Sequence, residues 1–574
     1  MAARHASSAG KRRRILRPLS VGVLTLFACA CAPIASPPSP LDAPAVASVR
    51  VAAESRVRAQ TQHQWARWVG RQSPRKARNV LRQTSWLHGL EPIQTVRKAK
   101  RRADDATDRR ALGHLQRYLV LEHLRATTAA AATPFKSLRD LEVALPWGGT
   151  VRFARLNVVL AKLASPQRRR ALWQEREHTA QGRQAAFQKR AERLRDSIQD
   201  LGYLDSQQML VDAFGWDCKA LQQLARQVLR SSQAAYDAAL AALAPTLTGR
   251  PASRLGPADV PRLLLHSPAD AAFTQPAHAA RETLAALGLS ADELAIRVDD
   301  APHAAKRLQP ASFPISAPSD IRISIHPIGG VTDYEALLHE LGHGLQMAHT
   351  QPSRFELQVL GTPAVSEAFA FLFQDLVLQP QWLQEHVALS EAQRAQHLAT
   401  MGLRRLLWLR RTAAQLLFVL DGGLDRAPEQ AARHYQQWLQ RAYGFDMAHS
   451  TPARYFIRGE KILSSADYLV GWLLAAQLQR QLQRDAETRS WWRHENSQQK
   501  LHDLWRKAQL QGLQPLLRYV ETPRVNAKTG LARLATALAT PEPGPQGWTR
   551  TIPTPPRRSS ERVHAQDRGA VEVD

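Results

Sequence analysis

The chain has 574 residues, of which 44% are apolar, and its mean hydropathy is low. This composition can fill the core of a large enzyme, and it excludes a polytopic membrane protein. Lysine and arginine number 77 against 50 aspartates and glutamates, which gives a net charge of +27. Because the excess is spread along the chain and not gathered into one patch with aromatic residues, it predicts a solvated basic surface and no nucleic-acid binding.

The N-terminal region is typical of an export signal. Several basic residues precede an apolar run at 19–28, which is too short to span a bilayer comfortably. Arginines 12–14 also loosely resemble a twin-arginine signal. The alternative is a mitochondrial transit peptide, since no acidic residue occurs before Asp42. We expect export to the periplasmic side of a bacterial cell envelope.

A cysteine follows the apolar run at the position of a lipid anchor. Residues 26–29 (LFAC) resemble a bacterial lipobox, although phenylalanine is unusual there. In this interpretation Cys29 is lipidated and attaches the protein to a membrane, with Cys31 as the rival position. Cys218 is then the single cysteine of the body, which excludes an internal disulfide and a cysteine metal cluster.

Composition predicts four regions along the chain. Residues 1–31 form the signal and lipobox, and 32–54 form a flexible tether rich in Pro and Ala. Residues 55–540 form one mainly helical domain with Leu, Ala, Arg and Gln at helical spacing. Residues 541–574 are expected to be a disordered, charged tail.

Cap residues predict where several helices begin. Ser165 with Pro166 starts a helix that runs to about residue 200, and Asp217 starts another that ends before Pro245. Similar helical patterns cover about 379–420 and 427–443.

One short segment has a different period. Residues 321–326 (IRISIH) alternate strictly and predict a β-strand that ends before Gly329 and Gly330. The strand lies just ahead of a helix predicted over 332–349, which Thr332 or Asp333 can cap.

That helix carries an HExxH motif, TDYEALLHELGHGLQMAH. His339 and His343 are one turn apart on the same face, so both imidazoles can bind one tetrahedral Zn²⁺ at about 2.0–2.1 Å. Glu340 lies beside them and can reach a water at the metal. HExxH also occurs by chance in buried helices, but the apolar surround and the small Gly342 and Gly344 favour a zinc site.

The third protein ligand is expected downstream. Glu367 is a lone carboxylate in the apolar run 362–373, where burial without a partner is costly. Glu356 is a closer rival in a loop-like stretch. His349 is another rival, but it points to a different side of the helix. A helix N-terminal glutamate held by the dipole is the non-metal interpretation of Glu367.

HELGH followed twenty-four residues later by the glutamate of SEAFAF resembles the gluzincin peptidases. The likeness is to the helical ones: angiotensin-converting enzyme, thimet oligopeptidase and bacterial dipeptidyl-carboxypeptidases. It covers about residues 321–478, and outside that range it rests on composition and length.

The resemblance implies a mainly α, multi-helix peptidase fold with a deep central cleft and a small β element beside the HExxH helix. It implies Zn²⁺ as cofactor, Glu340 as general base and hydrolysis of peptides by a monomer. The strand at 321–328 stands where this group binds substrate, which makes His326 a candidate substrate residue. ADYLVGWLLAAQLQRQL resembles the segment with the transition-state tyrosine, here Tyr468.

The chain departs from that group at two positions. In the angiotensin-converting group, an aspartate four residues after the metal glutamate orients a metal histidine. In this chain Phe371 stands at that position, and Asp375 lies one turn further along the helix. A histidine about ten residues before the tyrosine is replaced by Arg458, which can substitute for it or bind a substrate carboxylate. The outer partners of the metal must therefore be built otherwise.

Two other classes of function stay open at this point. The chain can be a catalytically inactive envelope lipoprotein that uses the peptidase fold as a binding module. It can also be a basic protein that binds a membrane surface or nucleic acid, which would bind in a salt-dependent way without metal.

Overall fold

The computed structural model describes residues 39–131, 138–290, 294–447 and 459–539. Cys29, Cys31, Arg458 and the predicted tail at 541–574 lie outside these ranges. The compact unit described below begins at Pro40.

The described chain is mainly helical, as predicted. The first helices are α1 Pro44–Trp68, α2 Arg75–Gln83, α3 Leu90–Arg102, α4 Ala106–Thr127, α5 Leu156–Lys162, α6 Pro166–Gln181 and α7 Gln184–Asp200. The next are α8 Ser206–Phe214, α9 Cys218–Ser231, α10 Gln233–Thr248, α11 Val260–Leu265, α12 Pro276–Ala286, α13 Val331–His349 and α14 Pro363–Gln374. The last are α15 Pro380–His386, α16 Glu391–Leu420, α17 Pro428–Tyr443, α18 Ser465–Asp485, α19 Glu495–Gln511, α20 Gln514–Tyr519 and α21 Lys528–Leu538. None of the described helices is both long and apolar enough to cross a membrane.

Two helix starts follow their predicted caps. The Ser165 side chain accepts from the backbone N–H of Arg168, and Asp217 accepts from that of Ala220. The predicted extents were wrong in three places. The first helix is broken into α6 and α7 at Gly182. The second is broken into α9 and α10 at Ser232, and α10 continues past Pro245 to Thr248. The helical pattern at 379–420 is interrupted at 387–390, between α15 and α16.

The predicted tether at 32–54 was wrong in its second half. Helix α1 starts at Pro44, and Val46, Val49 and Ala53 are buried along one of its faces. Their i, i+3, i+7 spacing is that of an amphipathic helix packed on a core. The Arg50 guanidinium also pairs at 2.5 Å with Glu356, whose side chain is fully buried.

Two small sheets accompany the helices. The strands are β1 Glu142–Ala144, β2 Thr150–Arg152, β3 Ile296–Asp299, β4 Ala311–Ser316 and β5 Asp320–Ser324. β1 and β2 form an antiparallel pair, and the other three are ordered β3-β5-β4. β5 pairs parallel with β3 and antiparallel with β4, with Ser312 opposite Ile323.

The strand predicted at 321–326 is therefore β5, and it is the central strand of its sheet. β5 is paired on both sides, so its backbone cannot take up a further strand. Within the described ranges β4 is paired on one side only. Its residues Ala311 and Ser312 line a cavity that the HExxH helix also lines. The open strand edge beside the cavity is that of β4.

Glycines bring the helices around the cavity into close contact. A Cβ on Gly342 of α13 would lie 2.6 Å from the Ala370 Cα of α14. A Cβ on Gly471 of α18 would lie 2.5 Å from the Cβ of Glu367. Because no other residue fits these crossings, α13, α14 and α18 form one closely packed layer.

Candidate metal centre

His339 and His343 lie on α13 and face the same cavity. Their rings are 4.8 Å apart between centroids and nearly perpendicular. The expected side-chain caps of this helix, Thr332 and Asp333, were wrong. The helix begins at Val331, whose N–H donates to Asp270, and the Asp333 carboxylate accepts two N–H groups from the preceding turn.

Glu367 of α14 completes a triad of ligand atoms. Its Oε2 lies 3.6 Å from His339 Nε2, and its Oε1 lies 3.9 Å from His343 Nε2. All three ligand atoms lie within 4.8 Å of one another. Ligands of tetrahedral Zn²⁺ with bonds of about 2.0–2.1 Å stand about 3.4 Å apart, so the triad needs little adjustment.

An unsatisfied carboxylate oxygen is a second reason to expect a metal at this triad. Glu367 Oε2 is buried and has no hydrogen-bond partner among the described residues. A buried carboxylate oxygen without a donor is costly, and a cation held by the two imidazoles would satisfy it.

The rival ligands lie elsewhere. Glu356 is held by Arg50, with the guanidinium donating to both of its carboxylate oxygens. His349 Nδ1–H donates to the Leu345 carbonyl, and the His349 ring packs edge-on against His502. Neither belongs to the triad.

Both histidines present Nε2 because Nδ1 is occupied. His343 Nδ1 lies 2.8 Å from Ser366 Oγ, which donates to Gln346 Oε1 at 3.0 Å. Since the serine proton is used on Gln346, the serine oxygen accepts from His343 Nδ1–H. His343 is therefore the tautomer with a free lone pair at Nε2.

His339 has a different outer partner, Gln374, seven residues after Glu367. Its Oε1 lies 2.9 Å from His339 Nδ1. Phe371 stands four residues after Glu367, at the position where the angiotensin-converting group has an aspartate. Its ring packs against the His339 imidazole, with the ring centroids 5.0 Å apart. Asp375 instead pairs with Arg405 and Arg533, away from the histidines.

Burial controls the ionisation of the triad. It lowers the pKa of His339 to about 4 and that of His343 well below its usual range, so both rings are neutral, which is the ligating form. Burial raises the pKa of Glu367 well above its ordinary value, and the nearby Glu340 carboxylate adds to this rise.

Glu340 faces the cavity beside the triad. Ser312 of β4 donates to its Oε2 at 2.6 Å. Burial raises the pKa of Glu340 to about 7, and the Ser312 hydrogen bond opposes that rise. A carboxylate with this pKa can both take and return a proton near neutral pH.

Tyr468 lies on α18, across the cavity from the HExxH helix. Its ring packs edge-on against Phe371 and Trp408, with centroids 6.2 and 6.5 Å away. Burial raises the pKa of Glu367, and a hydrogen bond from the Tyr468 hydroxyl opposes that rise. Its side chain is 37% exposed.

The cavity has a volume of about 860 Å³. One wall carries the triad and Glu340, and another carries a stripe of α16 side chains that includes Arg405, Trp408 and Arg411. His326, the candidate substrate residue, does not line it. It follows β5, the central strand, and contacts Arg155 at 3.3 Å.

Three of the site's polar residues were not predicted from the sequence. Ser312, Ser366 and Gln374 have no motif of their own. The weak signal was position: Ser366 precedes the metal glutamate, and Gln374 lies two turns after it on the same face.

Comparison with known proteins does not assign the chain. No protein-family model matches it, and no curated protein matches it significantly.

Proposed function

We propose that this protein is a zinc-dependent peptidase that hydrolyses peptide bonds, with His339, His343 and Glu367 as metal ligands. The observation that carries the proposal is that ligand atoms of these three residues converge in a buried site, and that one of them, Glu367 Oε2, has no hydrogen-bond partner among the described residues. A further carboxylate, that of Glu340, lies next to them. A buried helix with merely satisfied histidines would not orient both Nε2 atoms towards one orphaned carboxylate.

The residues of the site have distinct parts in this reaction. Zinc, when bound, lowers the pKa of a water molecule and polarises the scissile carbonyl. Glu340 takes the proton of the attacking water and returns it to the leaving amine, for which its raised pKa is suited. Tyr468 donates a hydrogen bond from its hydroxyl to the carbonyl oxygen as negative charge develops there.

The open edge of β4 supports a peptide as the substrate. An extended peptide can pair with Ala311 and Ser312 and so lie along the cavity past Glu340. We propose that this cavity belongs to the deep central cleft expected of the helical gluzincins.

The test is hydrolysis of a mixed peptide library by the full-length protein, read by mass spectrometry with and without chelator. Glu340→Gln should keep about one zinc per chain and lose hydrolysis, because the base is removed and the ligands stay. Glu54→Gln, which changes an exposed carboxylate on α1, is the matched control and should cleave normally. Zinc-independent cleavage, or a Glu340→Gln variant that cleaves at the wild-type rate, would overturn the proposal.

We further propose export and lipid attachment at Cys29, from the basic and apolar N-terminal pattern with LFAC at its end. Cys29→Ala should release the protein from the membrane fraction or block processing. Unchanged fractionation would leave Cys31 or another route.

A further inference from the structure

The outer partner of His339 is an amide, and a chain of hydrogen bonds fixes the orientation of that amide. Gln374 Nε2 donates to Glu335 Oε1 at 3.3 Å, while Gln374 Oε1 faces His339 Nδ1. An ionised carboxylate only accepts, so the amide nitrogen must face Glu335. The amide oxygen then requires a proton on His339 Nδ1 and leaves the Nε2 lone pair for a metal.

Guanidinium groups neutralise the carboxylate at the end of this chain. Arg404 and Arg405 pair with Glu335 at 2.5 and 3.1 Å, and all three side chains are buried. Arg405 also pairs with Asp375 at 2.6 Å, and Arg533 of α21 pairs with the other oxygen of Asp375 at 2.8 Å. The network holds three guanidiniums against two carboxylates, so no net negative charge reaches His339.

From this series of hydrogen bonds we propose that Gln374 and Glu335 are positioning residues of the metal centre. Glu335 sets the His339 tautomer through the Gln374 amide. The neutral amide keeps the zinc affinity of the site lower than it would be with a carboxylate at the same position. This inference rests on the proposed function. A carboxylate on Nδ1 makes an imidazole a stronger electron donor, and a neutral amide does so less. The His343 side of the site is built alike, since Ser366 and Gln346 are also neutral.

Two substitutions at one position should change zinc affinity in opposite directions. Gln374→Met keeps the shape and removes the acceptor, so the zinc dissociation constant should rise about 10–100-fold, the usual range for outer partners. Gln374→Glu, measured at pH 8, places a carboxylate on His339 Nδ1 and should lower that constant. A residue with only a packing role would weaken binding in both variants.

The measurement is competition with a chromophoric chelator, together with the absorption spectrum of the Co²⁺-loaded protein and melting curves of the metal-free proteins. Gln379→Met and Gln379→Glu are the matched controls. Gln379 is a buried glutamine five residues on, bonded to Gln483 and away from the triad, so both controls should keep wild-type zinc affinity.

Unchanged affinity in Gln374→Met, or weaker binding in Gln374→Glu, would overturn the inference. A wild-type protein that binds zinc with the expected order of variants, yet hydrolyses no peptide, would overturn the proposed function and leave this inference standing. A wild-type protein without zinc affinity would overturn both.

Discussion

The hydroxyl of Ser312 lies 2.6 Å from Glu340 Oε2 and 3.0 Å from the Glu340 backbone carbonyl, so its single proton is shared between these two oxygens, with the shorter contact to the carboxylate of the expected base. It is the direct link between the edge strand and the HExxH helix. Because the hydrogen bond favours the ionised carboxylate, it opposes the rise in the Glu340 pKa that burial causes.

Ser312→Ala should therefore move the acidic limb of the kcat/KM profile to higher pH. The base works in its ionised form, and loss of the donor raises the pKa of Glu340 further, so more of it is protonated at any given pH. The measurement is a pH profile of wild type and variant. Ser316→Ala, at an exposed position of the same strand, should leave the limb unchanged, and an unshifted limb in Ser312→Ala would contradict the pairing.

Tyr468→Phe should lower kcat about 10²–10³-fold, the usual loss for one donor to a developing oxyanion. KM and zinc content should change little, because the hydroxyl acts on the transition state. Steady-state kinetics and a melting curve of the variant measure these effects. The control is Tyr519→Phe, which removes a hydroxyl that donates to Asp485 in the wild-type protein. Near-normal turnover with altered thermal stability would indicate a packing tyrosine instead.

Zinc affinity should increase with pH by about one logarithmic unit per pH unit in the acid range, which corresponds to one displaced proton. Both histidines are already neutral there, because burial lowers the pKa of each ring, to about 4 for His339. We expect Glu367 to supply the displaced proton, because burial raises the pKa of its carboxyl well above the ordinary value. Metal-binding titrations between pH 5 and 7 on the Glu340→Gln variant, which lacks the neighbouring carboxyl whose pKa is about 7, measure this slope, and a slope of two or more would contradict neutral histidines.

Gly342→Ala should destabilise the protein by about 1–3 kcal/mol, as overpacking of a filled core does. Its Cβ would meet backbone atoms of α14, Phe369 O and Ala370 Cα, both at 2.6 Å. Gly344→Ala is the matched control on the same helix, because its Cβ would meet the end of the Ile296 side chain at 3.1 Å. Melting curves compare the two, and equal losses would contradict the close helix crossing.

The sequence predicted what depends on local pattern. The 3.6-residue period of apolar residues predicted α13 and α14, and the two-residue period predicted β5. The one-turn spacing of His339 and His343 predicted that both lie on one face of α13. These features need only nearby residues and the geometry of a helix or strand.

The sequence did not reveal what depends on pairing between distant segments. Which strand is at the edge depends on β3 and β4 flanking β5. The outer partners of the histidines depend on how α13 crosses α14, and Gln374, a glutamine without a motif, hydrogen-bonds His339 in place of an aspartate. The start of α1 was missed because alanine and proline in that region match a linker as well as a helix.

The ion pair between Arg50 and Glu356 determines where a shortened protein can begin. The two residues are 306 positions apart, and Glu356 lies in the chain between α13 and α14, the helices that carry the triad of His339, His343 and Glu367. A protein cut at residue 55, where composition alone places the start of the body, would lose Arg50 and leave a fully buried carboxylate unpaired. Loss of one partner of a buried pair typically costs about 3–5 kcal/mol. A shortened version for crystallisation or kinetics should therefore start no later than Pro40.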